Sequence, residues 1–203
     1  MEILKVKQEN FDKIIKKAIA YIKQGKVMVL PTDTVYGLVA DATNKKAVER
    51  LFKIKKRKKE KPIPIFVRNI KMAKKFALID KKQEKFLGKV WPGKITIVLK
   101  RTRLRQGFGG RGKIYGIDKK TIALRTPKYK LINILLKKLN RPLTGTSANI
   151  SGKPASTKIK EVLRQLKKQK YKPDLIIDAG NLPKNRPSTV IDLTGKKPKI
   201  LRK

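Results

Sequence analysis

Apolar residues recur at helical spacing at Phe11, Ile14, Ile15, Ala18, Ile19 and Ile22, with Asn10 placed to cap the first turn and Gly25 to stop the last. Lys26 to Leu30 then reads as a buried strand ended by Pro31. A second capped helix begins near Asn44 and carries Ala47, Val48, Leu51, Phe52 and Ile54 on its apolar face. It runs into a dense basic stretch, Lys55 to Lys61, where Glu60 is the only acid. Beyond Pro62 the pattern alternates: strand Ile63 to Val67, helices around Met72 to Ala77 and Gln83 to Val90, the turn Trp91-Pro92-Gly93, and strand Ile95 to Leu99. Strand Ile122 to Arg125, helix Lys130 to Leu139, strand Leu143 to Thr146, helix Ile159 to Lys168, and strands Leu175 to Asp178 and Thr189 to Leu193 complete the chain. This order predicts an α/β fold, a twisted mixed sheet with flanking helices, in a single domain over residues 1–203. No repeat and no compositional break suggests a linker. Arg101 to Lys120 departs from the pattern: glycines interleaved with arginines predict a basic loop, suited either to a phosphate backbone or to no binding at all.

Composition narrows the chemistry. The 203 residues hold 55 Lys+Arg against 14 Asp+Glu, a net charge of +41, and neither His nor Cys. Histidine-dependent triads, thiolate nucleophiles, disulfides and zinc ribbons are therefore excluded. What remains is chemistry by carboxylates, hydroxyls, Lys, Arg and backbone amides. A hydrophobic content of 39% is too high for a disordered basic tail. The field of so many cations draws in nucleic acid, nucleotides or other polyanions. Organism-wide lysine usage is the competing explanation, although that habit usually raises Glu as well. The first ten residues are polar and alternating, and no run approaches the ~18 apolar residues of a membrane span, so the expectation is a soluble cytoplasmic protein away from membranes.

Three segments concentrate polar groups where strands end. Thr32, Asp33, Thr34 and Tyr36 follow the strand at Leu30, and carboxyl ends of strands are where α/β sheets bind ligands. Lys55, Arg57 and Lys61 stand at a helix carboxyl end, where a forked guanidinium beside point charges suits a triphosphate. Ser147, Asn149 and Ser151 lie in a loop that offers donors to phosphate or carboxylate. Each has an ordinary reading as well: a polar turn, cations complementing a helix dipole, a capping loop.

Together these segments resemble the YrdC-like family, the threonylcarbamoyl-AMP synthases. The resemblance rests on Leu30-Pro31-Thr32-Asp33-Thr34-Val35-Tyr36-Gly37-Leu38, Lys55-Lys56-Arg57 with Lys61-Pro62-Ile63, Trp91-Pro92-Gly93, Ala123-Leu124-Arg125-Thr126-Pro127, Ser147-Ala148-Asn149 with Ser151-Gly152-Lys153-Pro154, and Ser188-Thr189-Val190-Ile191-Asp192 with Ile200-Leu201-Arg202. The resemblance implies the short, single-domain form of the enzyme, which makes threonylcarbamoyl-AMP and pyrophosphate from L-threonine, bicarbonate and ATP, with Mg²⁺ carried on the ATP and no resident metal. It implies that Lys55, Arg57, Lys61, Ser147, Asn149 and Arg202 hold ATP, with Lys55 and Arg57 catalytic. It assigns Thr34, Arg125 and Ser188 to threonine, with Thr32 and Tyr36 lining the shared pocket. tRNA, the threonylcarbamoyl-transfer machinery and double-stranded RNA are the implied partners. Three positions depart from the family: Phe66 stands where many relatives have His, Ala155 where they often have Ser, and Asp33 where many have Glu. Two readings compete with the synthase, a non-catalytic basic RNA-binding module of the same fold and a paralogue with different carbamoyl-adenylate chemistry.

Overall fold

Successive side chains of a strand face opposite ways, and Met28, Val29 and Leu30 turn this alternation into two cores: Val29 joins one, Met28 and Leu30 the other. The computed structural model describes residues 1–102 and 113–203, so most of the basic glycine-rich stretch, 103–112, lies outside the described residues. The elements are β1 (Glu2–Lys5), α1 (Phe11–Lys23), β2 (Met28–Leu30), β3 (Gly37–Val39), α2 (Lys45–Lys55), β4 (Ile65–Phe66), α3 (Ile70–Ala73), α4 (Lys81–Val90) and β5 (Ile95–Lys100). They continue with β6 (Thr121–Arg125), α5 (Lys130–Leu139), β7 (Leu143–Thr144), β8 (Thr146–Ser147), α6 (Ile159–Leu166), β9 (Leu175–Asp178), β10 (Thr189–Asp192) and β11 (Lys199–Arg202).

The strands divide between two mixed sheets rather than forming one. A five-stranded sheet runs β1-β9-β2-β3-β8, and a six-stranded sheet runs β11-β10-β5-β6-β4-β7. In the first, β1, β9 and β2 are parallel while β3 and β8 are antiparallel additions. Its one face packs on α1 and α5 through Ile14, Ala18, Leu131 and Leu135. Its other face shares a core with the second sheet, α2 and α6, through Leu51, Ile97, Leu124 and Val162.

The single strand expected over Leu143 to Thr146 is two strands, because Gly145 carries the chain from one sheet to the other. A Cβ at Gly145 would lie 2.5 Å from the Phe66 ring, so only glycine fits this crossing as built. The polar, alternating first residues form β1, an edge strand, and β3 and β11 are further strands that periodicity did not reveal. No helix among the described residues is long and apolar enough to cross a membrane.

Candidate active site

The ends of β2, α2, β6 and β8 meet at a cavity of about 600 Å³, closed on its far side by β10 and β11. Its basic end is fixed by the way α2 starts and stops. The Asn44 side chain accepts the Ala47 amide at 3.1 Å, and the helix ends with Lys56 in the left-handed region at φ 49°. That turn places Arg57 at the cavity, where its Nε and Nη2 donate to the carbonyls of Lys61 at 2.8 Å and Pro62 at 2.9 Å. A guanidinium has five N–H groups, so three remain for a ligand.

Lys55 differs from its neighbour. It is 2% exposed, and Nζ donates to the Ser147 carbonyl at 2.5 Å, the Asn149 side-chain oxygen at 2.7 Å, the Asn149 carbonyl at 3.1 Å and Ser147 Oγ at 3.3 Å. The carboxyl end of β8 at Ser147 and the Asn149 loop are thus tied to the end of α2 through one ammonium. Burial, and then the Arg57 charge, pull the Lys55 pKa down to about 7, while four oxygens around the ammonium favour its charged form.

Arg125, at the end of β6, is buried in the lining of the same cavity. Its Nε donates to the Gly93 carbonyl at 2.9 Å, Nη1 to Thr34 Oγ1 at 3.2 Å and Nη2 to Asp33 Oδ1 at 2.5 Å. One N–H is left on each terminal nitrogen, the pair that reads a carboxylate bidentately. Burial pulls the Arg125 pKa below its usual value and Asp33 pushes it back. The Asp33 carboxylate also accepts the Lys128 amide at 2.9 Å. Because Thr32 donates its hydroxyl to the Val35 carbonyl at 2.7 Å, the 3.0 Å contact between Thr32 and Thr34 is donated by Thr34. Thr32 therefore aims Thr34 rather than offering a free donor of its own.

Ser188 and Arg202 line the same cavity. Arg202 donates to the Ser188 carbonyl from Nη2 at 2.7 Å and from Nε at 3.0 Å, and Ser188 Oγ pairs with Thr96 Oγ1 at 2.8 Å.

Every residue assigned from the sequence lines this cavity except Tyr36. Tyr36 is fully buried on the other side of the turn, where its hydroxyl donates to the Gly180 carbonyl at 2.6 Å and accepts the Ala179 amide at 3.0 Å. It braces the loop instead of lining the pocket, and burial raises its pKa. Sequence reasoning missed Thr96, and it placed Asp33 and Ser151 in candidate segments without assigning either a role. Asp33 had a usable signal, being the only carboxylate in the first motif. Ser151 lines the cavity with a buried hydroxyl that has no partner among the described residues. Where the resemblance expects Ser, Ala155 has no neighbouring substitute: Ser156 Oγ is engaged already, donating to Glu161 at 2.5 Å and accepting the Lys158 amide at 2.9 Å. Where many relatives have His, the Phe66 ring forms a cavity wall 5.8 Å from the Arg125 guanidinium carbon.

A layout of two mixed sheets with a cationic, hydroxyl-rich cavity at their junction is that of one α/β family. Residues 20–203 match the Sua5/YciO/YrdC family model, which carries the description "Telomere recombination", and the chain belongs to that family. A Methanocaldococcus jannaschii relative is 34% identical over 193 residues, 95% of this chain and 86% of that protein. The threonylcarbamoyl-AMP synthase of Pyrococcus abyssi is 34% identical over 202 residues, 98% of this chain but 56% of its own length, so the chain spans about half of it. The structure of P. abyssi Sua5 complexed with L-threonine superposes with a TM-score of 0.81 at 32% identity, covering 99% of this chain and 56% of that one. Escherichia coli YciO superposes equally well, with a TM-score of 0.81 at 27% identity, covering 100% of this chain and 94% of that one.

Proposed function

We propose that the protein is a threonylcarbamoyl-AMP synthase, joining L-threonine, bicarbonate and ATP into threonylcarbamoyl-AMP with release of pyrophosphate. What supports this most is the meeting of two kinds of ligand group in one cavity: guanidinium and ammonium donors of Arg57 and Lys61 that are free for a phosphate, and Arg125 with N–H groups left for a carboxylate. The relatives named for this activity point the same way.

In this reading Arg125 takes the threonine carboxylate, and Thr34 and Ser188 hold the rest of the amino acid. Bicarbonate condenses with the threonine amine, with loss of water, to N-carboxythreonine. An oxygen of the newly formed N-carboxylate attacks the α-phosphorus of ATP, the bond from that phosphorus to the oxygen bridging to the β-phosphate breaks, and pyrophosphate leaves. Arg57, Lys61 and Arg202 neutralise the charge that develops on the phosphates, and Ser151 donates its unpartnered hydroxyl to one of them. Lys55 works mainly by holding Ser147 and Asn149 against the phosphates. Mg²⁺ arrives on ATP as part of the substrate; the described residues contain no group of three or more Asp and Glu that could hold a metal by themselves. The charge of +41 far exceeds what these residues need, and tRNA is the partner we assign to the remainder, with the transfer machinery that consumes the adenylate.

The test is pyrophosphate release from Mg-ATP. Release should require both L-threonine and bicarbonate, and Arg57→Ala should lower it by about 10²- to 10³-fold, as loss of a donor to developing charge does elsewhere. Release independent of threonine contradicts the reading.

A further inference from the structure

A second cavity of about 530 Å³ lies beyond the carboxyl ends of β4 and β6, two parallel neighbours. Phe66 and Arg125, the last residues of those strands, face the first cavity, while Arg68 and Thr126, just past them, line the second. Arg68, Lys71 and Lys137 bring three cations to its walls, no carboxylate lines it, and none of the three cations is in an ion pair among the described residues. Thr126 is 6% exposed and its hydroxyl has no hydrogen-bond partner among the described residues. A buried, unsatisfied hydroxyl costs free energy, and its position beside unpaired cations at the ends of parallel strands gives it a use.

We propose that this second cavity binds a phosphoryl group, with Thr126 donating its hydroxyl and Arg68, Lys71 and Lys137 supplying the charge. Two sources share this chemistry, a free phosphate and a phosphodiester of RNA. The site is independent of the synthase assignment, because none of its residues belongs to the ATP or threonine groups. It is nevertheless wired to them: the Gly93 amide donates to the Thr126 carbonyl at 2.9 Å, and the Gly93 carbonyl accepts Arg125 Nε at 2.9 Å.

The chain carries its own probe. Trp91 is the sole tryptophan and lines this cavity but not the first. Inorganic phosphate and a short single-stranded RNA are titrated separately into the full chain while Trp91 fluorescence is followed. A saturable response to either probe is expected, and which probe gives it identifies the source. Thr126→Val should weaken that response by about tenfold, the worth of one hydrogen bond to a charged group. Because the hydroxyl is unpartnered, this variant should fold with undiminished thermal stability, and Thr126→Ser should restore binding. Lys71→Glu should weaken it too, whereas Arg57→Ala, in the first cavity, should leave it intact. No fluorescence response to either probe, an affinity unchanged by Thr126→Val and Lys71→Glu, or a response abolished by Arg57→Ala would overturn the proposal.

Discussion

Two arginines line the main cavity: Arg125 is buried, paired with Asp33 and bonded to Thr34 and Gly93, whereas Arg57 lies half-exposed and bonds only to backbone carbonyls. The difference is one of what each charge is attached to. Arg125 is part of the fold, since a buried guanidinium without its carboxylate is an uncompensated charge. Arg57 can be removed without orphaning anything charged. Arg125 is therefore rigid and pre-aimed, and Arg57 keeps its donors free for a ligand that brings its own negative charge.

The strongest way to break this contrast is Asp33→Ala. It should cost about 3–5 kcal/mol in denaturant unfolding by leaving Arg125 buried and unpaired, while Arg57→Ala stays within about 0.5 kcal/mol of the wild type. Equal losses would mean that the two arginines are not held differently. Next in size is Gly145→Ala, which pushes a methyl into the Phe66 ring and should cost about 1–3 kcal/mol as an overpacked site. Phe66→Leu in the same chain should recover part of that loss, and calorimetry of the pair measures the coupling.

Lys55 sharpens the contrast through pH. Its folded pKa of about 7 lies below the unfolded value of 10.5, so between those limits the unfolded chain binds the extra proton and stability rises with pH. The cost of charging the buried ammonium is present in full below pH 7. The stability of wild type relative to Lys55→Met should rise from pH 7 to 9, by at most about 1.4 kcal/mol per unit. A flat difference would mean that the four oxygens around Nζ keep Lys55 charged throughout. The smallest effect belongs to Ser151→Ala. It removes an unpartnered hydroxyl, so the melting temperature should stay level while pyrophosphate release falls about tenfold, the value of one charged hydrogen bond.

Helices were legible in the chain because their periodicity and caps are local. Asn44 caps α2, α5 spans Lys130–Leu139 as its apolar spacing predicts, and β9 lies where its apolar run does. The division into two sheets was not legible, because it turns on Gly145 sitting against Phe66, residues far apart in sequence. The site follows the same division. Polar groups at a helix end and after a strand marked Arg57 and Ser147, the family resemblance marked Arg125, and all three line the cavity. The inward turn of Tyr36, the enclosure of Lys55 by oxygens, and the orphaned hydroxyls of Ser151 and Thr126 depend on partners brought from elsewhere in the fold. Charge, the plainest feature of the sequence, said least about position: the cations with assigned work are a small part of 55.

The central claim is tested most directly by following pyrophosphate release by the purified protein from Mg-ATP, with L-threonine and bicarbonate added singly and together. The account predicts release only when both are present, together with an adenylate that carries the threonine carbons. Release with neither, or none with both under conditions where the protein is folded and binds ATP, would contradict it.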